Sequence, residues 1–440
     1  MTSANELVIF QLGDVHMPEF NALKTEVDSH DKREPGNIGA SLELPLPHAI
    51  KEALVEALMS EPAAVVAICG DLTSRGDRVE YANAASYLAK ILHDPRLDSP
   101  TPTHRIHVVP GNHDIAFKAD QKFVSFDDVS RFGPLRATCI EQGLGDVLAL
   151  DFRETNHAAG AGNVKIMSVN TARGAGASRV ANAVVSDPLL NAALEGMTPE
   201  RVGEIIDIQA DDSHEVLDIP FLHPEDIKKI AVAVGRADPR VLPVVIGHHG
   251  LLPQHTPRLN PYTEMANAGQ ARRELSKLDR PVIYLHGHIH QDVIETVMFP
   301  KPSLAPGGIP PLVVISAPLL SDGFNKIIVR FDGSGTALGV KITKFRINHG
   351  DQTVSAGSEV TSIPLGGRQL AKEVERELLQ VIIQKRVMSG NEILEVAAAS
   401  PSIAMGPDEV ETFVEQLYWQ GILNHANGLD QEFKQTGFIF

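Results

Sequence analysis

Cysteine is nearly absent. The 440-residue chain has two, Cys69 and Cys139, far apart and outside any Cys-x-x-Cys spacing. That argues against a disulfide scaffold or a thiolate zinc site and makes a reducing cytoplasm the expected setting. Basic residues are also scarce: 39 Lys and Arg face 56 Asp and Glu, a net charge of −17, so the average field repels nucleic acid and anionic membranes. No apolar run approaches the ~20 residues needed to cross a bilayer. The opening residues MTSANELVIF carry no basic leader followed by an apolar core, so neither secretion nor membrane spanning is expected. Internal repeats, low-complexity tracts, a P-loop, a dinucleotide fingerprint and a Ser-His-Asp nucleophile motif are missing too, which leaves no support for a Walker ATPase or for covalent acyl transfer.

What is present is material for a core, 43% hydrophobic, in a length that suits two or three domains. Short Val- and Ile-rich runs at 6–12, 63–69, 104–109, 164–169, 243–246 and 281–285 predict buried strands. Between the second and third, Asp77 can cap a helix, with Glu80 three positions on as in a capping box and Ala84, Tyr87, Leu88, Ile91 and Leu92 as its apolar stripe. This alternation predicts a layered α/β domain. Further strands at 291–297, 312–316, 326–331 and 338–346 read as an antiparallel run closing a second sheet, so the sum is a two-sheet sandwich flanked by helices. Residues 17–60, 115–163 and 172–240 exceed simple connections and read as loop insertions. The polar stretch 348–367 reads as a linker, and Phe299–Pro311 as a surface loop.

After the linker, residues 368–440 predict a small separate domain. Leu370, Val374, Leu378 and Ile382 mark one helix, Asn391–Ala399 a second, and Pro407 opens a third that carries Val410, Phe413, Val414, Leu417 and the lone Trp419. Two short strands at 422–424 and 433–440 complete a pattern like a winged helix-turn-helix. The third helix holds Asp408, Glu409, Glu411 and Glu415 without a Lys or Arg, which suits a protein partner or self-association better than DNA.

The chemistry follows the strands. They end in turn in Gly13-Asp14-Val15-His16, Gly70-Asp71, Pro110-Gly111-Asn112-His113-Asp114, Gly247-His248-His249-Gly250 and His286-Gly287-His288-Ile289-His290. Five strand ends thus deliver carboxylate, carboxamide and imidazole to one edge of a sheet, where open α/β sheets bind their ligands. Without thiolate, the set suits Mn, Fe, Zn, Co or Ni. Asp14, His16, Asp71, Asn112, His248, His288 and His290 are too many ligands for one ordinary ion, and they satisfy two if the Asp71 carboxylate bridges. Two ions roughly 3.5–4 Å apart can hold a hydroxide nucleophile and clamp an in-line phosphoryl displacement. Asn170-Thr171 closes another strand and either orients the cluster or caps a turn, and Arg75 and Arg173, just past strand ends, read as solvated loop arginines with phosphate binding as the alternative.

In this order the motifs resemble the calcineurin-like metallophosphoesterase superfamily over residues 6 to about 347, nearest to its class III cyclic-nucleotide phosphodiesterases. The resemblance implies a four-layer α/β/β/α sandwich over residues 1–347. It also implies one metal on Asp14, His16, Asp71 and His290 and a second on Asp71, Asn112, His248 and His288, with His249 the alternative to His248. His113 matches the family's phosphate-contacting histidine and Asp114 its orienting partner, so these two stand as the catalytic pair. The implied activity is hydrolysis of cyclic nucleotides or other small phosphodiesters by a metal-bridging hydroxide. Its alternatives are a phosphomonoesterase, a repair-type DNA exonuclease and a non-catalytic scaffold on the same fold. Gly250 stands where many relatives carry Pro.

Overall fold

Alternation along the first strands sorts their side chains onto two faces. In β1 (Glu6–Leu12) and β2 (Val65–Ile68), Leu7, Ile9, Val65 and Ala67 enter one apolar cluster while Val8, Phe10, Leu12, Val66 and Ile68 enter another. Strands buried on both faces need cover on both, and the sandwich supplies it. The computed structural model describes residues 5–17, 45–116, 128–177, 217–253, 264–298, 310–348, 353–365, 373–419, 422–425, 433 and 436–439.

The first sheet joins β1 and β2 to β3 (Ile106–Val108), β12 (Gly323–Phe331), β13 (Ala337–Asn348) and β14 (Thr353–Pro364), in the order β14-β13-β12-β1-β2-β3. The second is built from β4 (Arg153–Ala159), β5 (Gly162–Ser168), β8 (Leu242–Ile246), β9 (Val282–His286), β10 (Ile294–Val297) and β11 (Leu312–Ser316), in the order β10-β11-β9-β8-β5-β4. A small antiparallel pair, β6 (Gly174–Ala177) with β7 (Leu217–Ile219), lies apart. The inward faces meet in a core that includes Ile9, Cys69, Ile166, Ile246, Leu285 and Ile327. Helices α1 (Pro45–Ser60), α2 (Arg78–Leu92) and α3 (Asp128–Glu141) cover the outside of the first sheet. Helices α4 (Pro224–Gly235) and α5 (Ala268–Ser276) cover the second. The result is the expected four layers. Each Val, Leu or Ile taken fully out of water contributes about 1.5–3 kcal/mol, so the three clusters outweigh any surface pairing.

The central strands and α2 match their predicted positions. Asp77 caps α2 by accepting from Val79 N and Glu80 N, but Glu80 reaches past the cap to Arg75 N at 2.7 Å. Elsewhere the expectation needs correction. The late strands do not close a second sheet as one run: β10 and β11 belong to the second sheet, with β11 parallel to β9, whereas β12 to β14 extend the first sheet from β1. The segment expected to be a linker, 348–367, contains β14, an edge strand that pairs with β13 from Asn348↔Thr353 to Gly339↔Pro364. Its outer edge faces no further strand among the described residues, so polar Thr, Ser and Glu are at home there and the sequence reads as linker. All three supposed insertions carry fold elements as well: 17–60 includes α1, 115–163 includes α3 and β4, and 172–240 includes β6, β7 and α4. Most of 172–240 and residues 299–309 lie outside the described residues.

The C-terminal unit comprises α6 (Glu373–Lys385), β15 (Val387–Ser389), α7 (Gly390–Ala399), α8 (Pro407–Trp419), β16 (Asn424–His425) and β17 (Gly437–Ile439). Its three strands pair in the order β15-β17-β16 around a separate core of Leu378, Ile382, Ile393, Val414 and Phe438. Strand β15 is too short for its pattern to register in the sequence. Helix α7 starts with a capping box between Ser389 and Glu392.

Candidate metal centre

Five chain segments from both sheets converge at the carboxyl ends of their strands. The backbone there is strained in a revealing way. Asp14, His16, Asp71, His288 and His290 all take positive φ, between 44° and 67°, and only Asp279 and Arg386 do so elsewhere among the described non-glycine residues. Each such residue costs about 1–3 kcal/mol and persists only where surrounding structure holds it. Glycines allow the close approach: any side chain on Gly111 would strike Asp71 Oδ1, and a Cβ on Gly287 would lie 2.6 Å from Asp14 Oδ2.

The side chains form two connected groups. In the first, His16 Nε2 faces His290 Nε2 at 3.3 Å, and His290 Nε2 lies 3.5 Å from Asp14 Oδ1. In the second, His248 Nε2 is 3.0 Å from Asn112 Oδ1 and 3.1 Å from Asp71 Oδ2. Asp71 Oδ2 is also 3.8 Å from His16 Nε2, which puts this oxygen between the groups. The His288 ring packs beside those of His248 and His249, with centroids 5.2 and 4.4 Å away, and its backbone N–H donates to both Asp14 oxygens. All seven residues expected to be ligands are therefore gathered in one place. Three sets have donor atoms within 4.8 Å of one another: Asp14, His16 and His290; Asp14, Asp71 and His248; and His248, His249 and His288.

This donor set fits a pair of cations. Two ligands each about 2.1 Å from one tetrahedral ion stand about 3.4 Å apart, close to the spacing of His16 and His290. Asp71 Oδ2 is buried and accepts no hydrogen bond of good geometry among the described residues. Burial alone would raise the Asp71 carboxyl, yet the charges of His248, His113 and His16 hold it well below the usual carboxylate range. Burial likewise opposes an imidazolium at His248, and Asp71 and Asp14 overcome it, lifting that ring to about 10. A field that retains a proton on a fully buried histidine is one that asks for positive charge.

The supporting contacts are specific. His248 Nδ1 lies 2.6 Å from Cys69 O, which leaves Nε2 toward the cluster. Thr171 Oγ1 accepts from the backbone N–H of both His248 and His249, at 3.1 and 3.0 Å, and meets His249 Nδ1 at 3.0 Å. Of the two readings of Asn170-Thr171, Thr171 orients the cluster, and Asn170 Oδ1 accepts from Ala172 N to cap the turn. His113 N donates to Asp71 Oδ1 at 2.9 Å. The expected pairing of Asp114 with His113 needs correction. His113 Nδ1 faces Ser74 O at 2.9 Å, while the Asp114 oxygens accept from Gly111 N, Thr73 N and Thr73 Oγ1. Asp114 braces the turn, and burial together with the Asp71 charge pushes its carboxyl up to about 6. Arg173 is held by Asp151, Asp226 and Leu150 O. Spacing within the motifs could not reveal Ser74 or Cys69, because each acts through its backbone carbonyl.

The sequence pattern of the family described as Calcineurin-like phosphoesterase matches residues 7–292. The chain belongs to that family. That family is one of metal-dependent phosphoesterases, and it implies two metal ions at the cluster just described. No curated protein matches it. Among solved structures, a 5'-nucleotidase precursor from Thermus thermophilus is similar at 15% identity, covering 82% of this chain and 55% of that one, with a TM-score of 0.34. The phosphopantetheinyl hydrolase of Mycobacterium tuberculosis is similar at 14% identity, covering 72% and 91%, with a TM-score of 0.37. The NAD nucleotidase of Haemophilus influenzae is similar at 11% identity, covering 95% and 60%, with a TM-score of 0.35. The chain spans about 55–60% of the length of the two nucleotidases. No helix among the described residues is long and apolar enough to cross a membrane.

Proposed function

We propose that the protein hydrolyses small phosphodiesters, cyclic nucleotides first among them, at two transition-metal ions. One ion is held by Asp14, His16, Asp71 and His290 and the other by Asp71, Asn112, His248 and His288. The observation that carries this reading is the placement of Asp71 Oδ2 between His16 Nε2 and His248 Nε2, at 3.8 and 3.1 Å, as a bridging carboxylate requires. Mn, Fe, Zn or Co would supply Lewis-acid polarisation of the phosphoryl oxygens and a lowered pKa for water. The chain's own residues do the rest. Asp71 is kept ionised and oriented by His113 N, and Asn112 offers a neutral oxygen that leaves the site positive enough to hold an anion. Ser74 O can only accept, so His113 Nδ1 carries a proton; Nε2 would give a proton to the leaving oxygen from the imidazolium form, the ring returning to the neutral form protonated at Nδ1. Asn112, His113 and His290 are partly exposed and form the mouth, while the remaining ligands are buried. The residues whose contacts define the cluster include no Lys or Arg, which suits a singly charged diester better than a doubly charged monoester.

The C-terminal unit is read as a winged-helix-like module that contacts a protein partner or a second copy of the chain. Its order of helix, strand, two helices and two strands supports that reading. Cytoplasmic residence is part of the proposal, consistent with free, buried Cys69 and Cys139.

The test pairs metal analysis with turnover. Protein reconstituted with Mn, Fe, Zn or Co should hold two ions per chain and cleave a chromogenic diester and cyclic mononucleotides faster than a chromogenic monoester. Asp71→Ala should lose both metal and turnover. A metal-free Asp71→Ala protein that still turns over would end the mechanism, and a monoester preference would end the substrate assignment.

A further inference from the structure

A cavity of about 350 Å³ opens between the sandwich and α8, at the pole away from the metal centre. Leu242, which begins β8, and Pro281, just before β9, line it, whereas His248 and His288 follow the far ends of those strands. Six residues of extended chain at about 3.3 Å each put the two sites about 20 Å apart.

The charged groups in its wall are of two kinds. Arg240 is engaged, donating to both oxygens of Asp238 and to Ser334 O, and Asp332 Oδ1 accepts from the backbone of its own turn. Arg280 is different. Its Nη1 donates to Asp238 O and Val241 O, at 2.9 and 3.5 Å, and its other N–H groups have no partner among the described residues. The Gln416 amide, on α8, likewise has none there. Trp419, only 4% exposed, has its Nε1 buried without a partner among the described residues. Buried donors are rarely left unpaired. Of the donors here only the Trp419 indole N–H is buried; the partly exposed Arg280 guanidinium and Gln416 amide border the same cavity, with Leu338 and Leu365 as its apolar wall.

We propose that this cavity is a second binding site, for a small organic oxyanion whose phosphate or carboxylate head meets Arg280 and Gln416 and whose apolar body lies against Leu338 and Leu365. Guanidinium forks match such heads geometrically. The site joins the C-terminal unit to the sandwich, so an occupant would bear on both.

Trp419 is the chain's single tryptophan and reports on the cavity directly. Full-length, metal-depleted protein is titrated with adenosine monophosphate, inorganic phosphate and citrate, following Trp419 emission. The expected result is a saturable change with at least one of them. It is weakened roughly tenfold or more in Arg280→Gln and in Gln416→Leu, and unchanged in Asn112→Ala. The three probes separate a phosphate head with an organic body, a bare phosphate and a carboxylate. Should Arg280→Gln fail to fold by circular dichroism, Gln416→Leu decides the matter alone. No change with any probe up to about 10 mM, or a titration indifferent to the variants, overturns the site. A signal lost in Asn112→Ala assigns the anion to the metal centre and overturns it equally. Because the readout is binding without metal, failure here leaves the phosphoesterase reading untouched.

Discussion

Thr171 holds both histidines of the β8 turn by their backbone N–H groups and touches the ring of the second. Thr171→Val keeps the shape and removes the hydroxyl, leaving two buried N–H groups unsatisfied at about 1–3 kcal/mol each. Thermal unfolding should report that loss, and kcat/KM for a diester should fall by about ten- to a hundredfold, as for other residues that orient metal ligands. Thr171→Ser should restore most of both. If Thr171→Val loses stability but keeps full turnover, Thr171 is structural only. The cluster itself was legible in the sequence because each Asp, Asn or His stands directly after an apolar run, and a parallel strand carries its last residues to one edge. What Asp114 does was not legible. A carboxylate next to a histidine can turn toward the ring or back into its own loop, and the three donors from Gly111 and Thr73 decide for the loop.

Edge strands carry a pH dependence of their own. β3 and β4 lie at the same rim of the two sheets, and there His107 Nε2 meets His157 Nε2 at 3.2 Å with Ser168 Oγ 3.5 Å from His107 Nδ1. Burial, then the neighbouring charges of His157, Arg153 and His104, pushes His107 down to about 3, and burial, then His104 and Arg105, pushes His157 down to about 4. Both are neutral when folded, whereas in the unfolded chain they protonate below about 6.5. The unfolded state therefore binds protons first as pH falls, and stability that is full above pH 6.5 is lost toward pH 4. For His107 the loss at pH 5 is on the order of 2 kcal/mol. Thermal midpoints measured from pH 7.5 to 5 should fall less steeply in His107→Gln than in the unaltered protein, and parallel slopes would show that the pair does not titrate on unfolding. Among the edge strands, β4 and β14 were the hardest to read. β4 alternates Arg, Thr and His with Glu, Asn and Ala, so a half-exposed border strand offers little apolar signal, and β14 offers less.

At the scale of the whole molecule, the question is how the C-terminal unit is seated on the sandwich. Its separate core was readable from helical periodicity, but its seating was not, since nothing in the sequence pairs Arg330 with Glu415 across 85 positions. Arg330 on β12 donates to Glu415 of α8 at 2.7 Å and to Glu6 at 3.2 Å, all three side chains being about one-fifth to one-quarter exposed. Tyr418 meets Ser362 of β14 at 2.9 Å, and Trp419 packs on Gly339 so tightly that any side chain there would strike its ring. Removing the cation leaves two half-buried carboxylates without it, and adding bulk at Gly339 drives the indole outward. Arg330→Ala and Gly339→Val should therefore shift Trp419 emission to the red and speed proteolytic cutting between the two units, more strongly for Gly339→Val. The metal centre lies at the opposite end of β1 from Glu6 and Arg330, so two ions per chain and diester turnover should be retained. Unshifted emission in both variants would mean that α8 is held by contacts other than these, and loss of bound metal would mean that the two poles of the sandwich are mechanically linked.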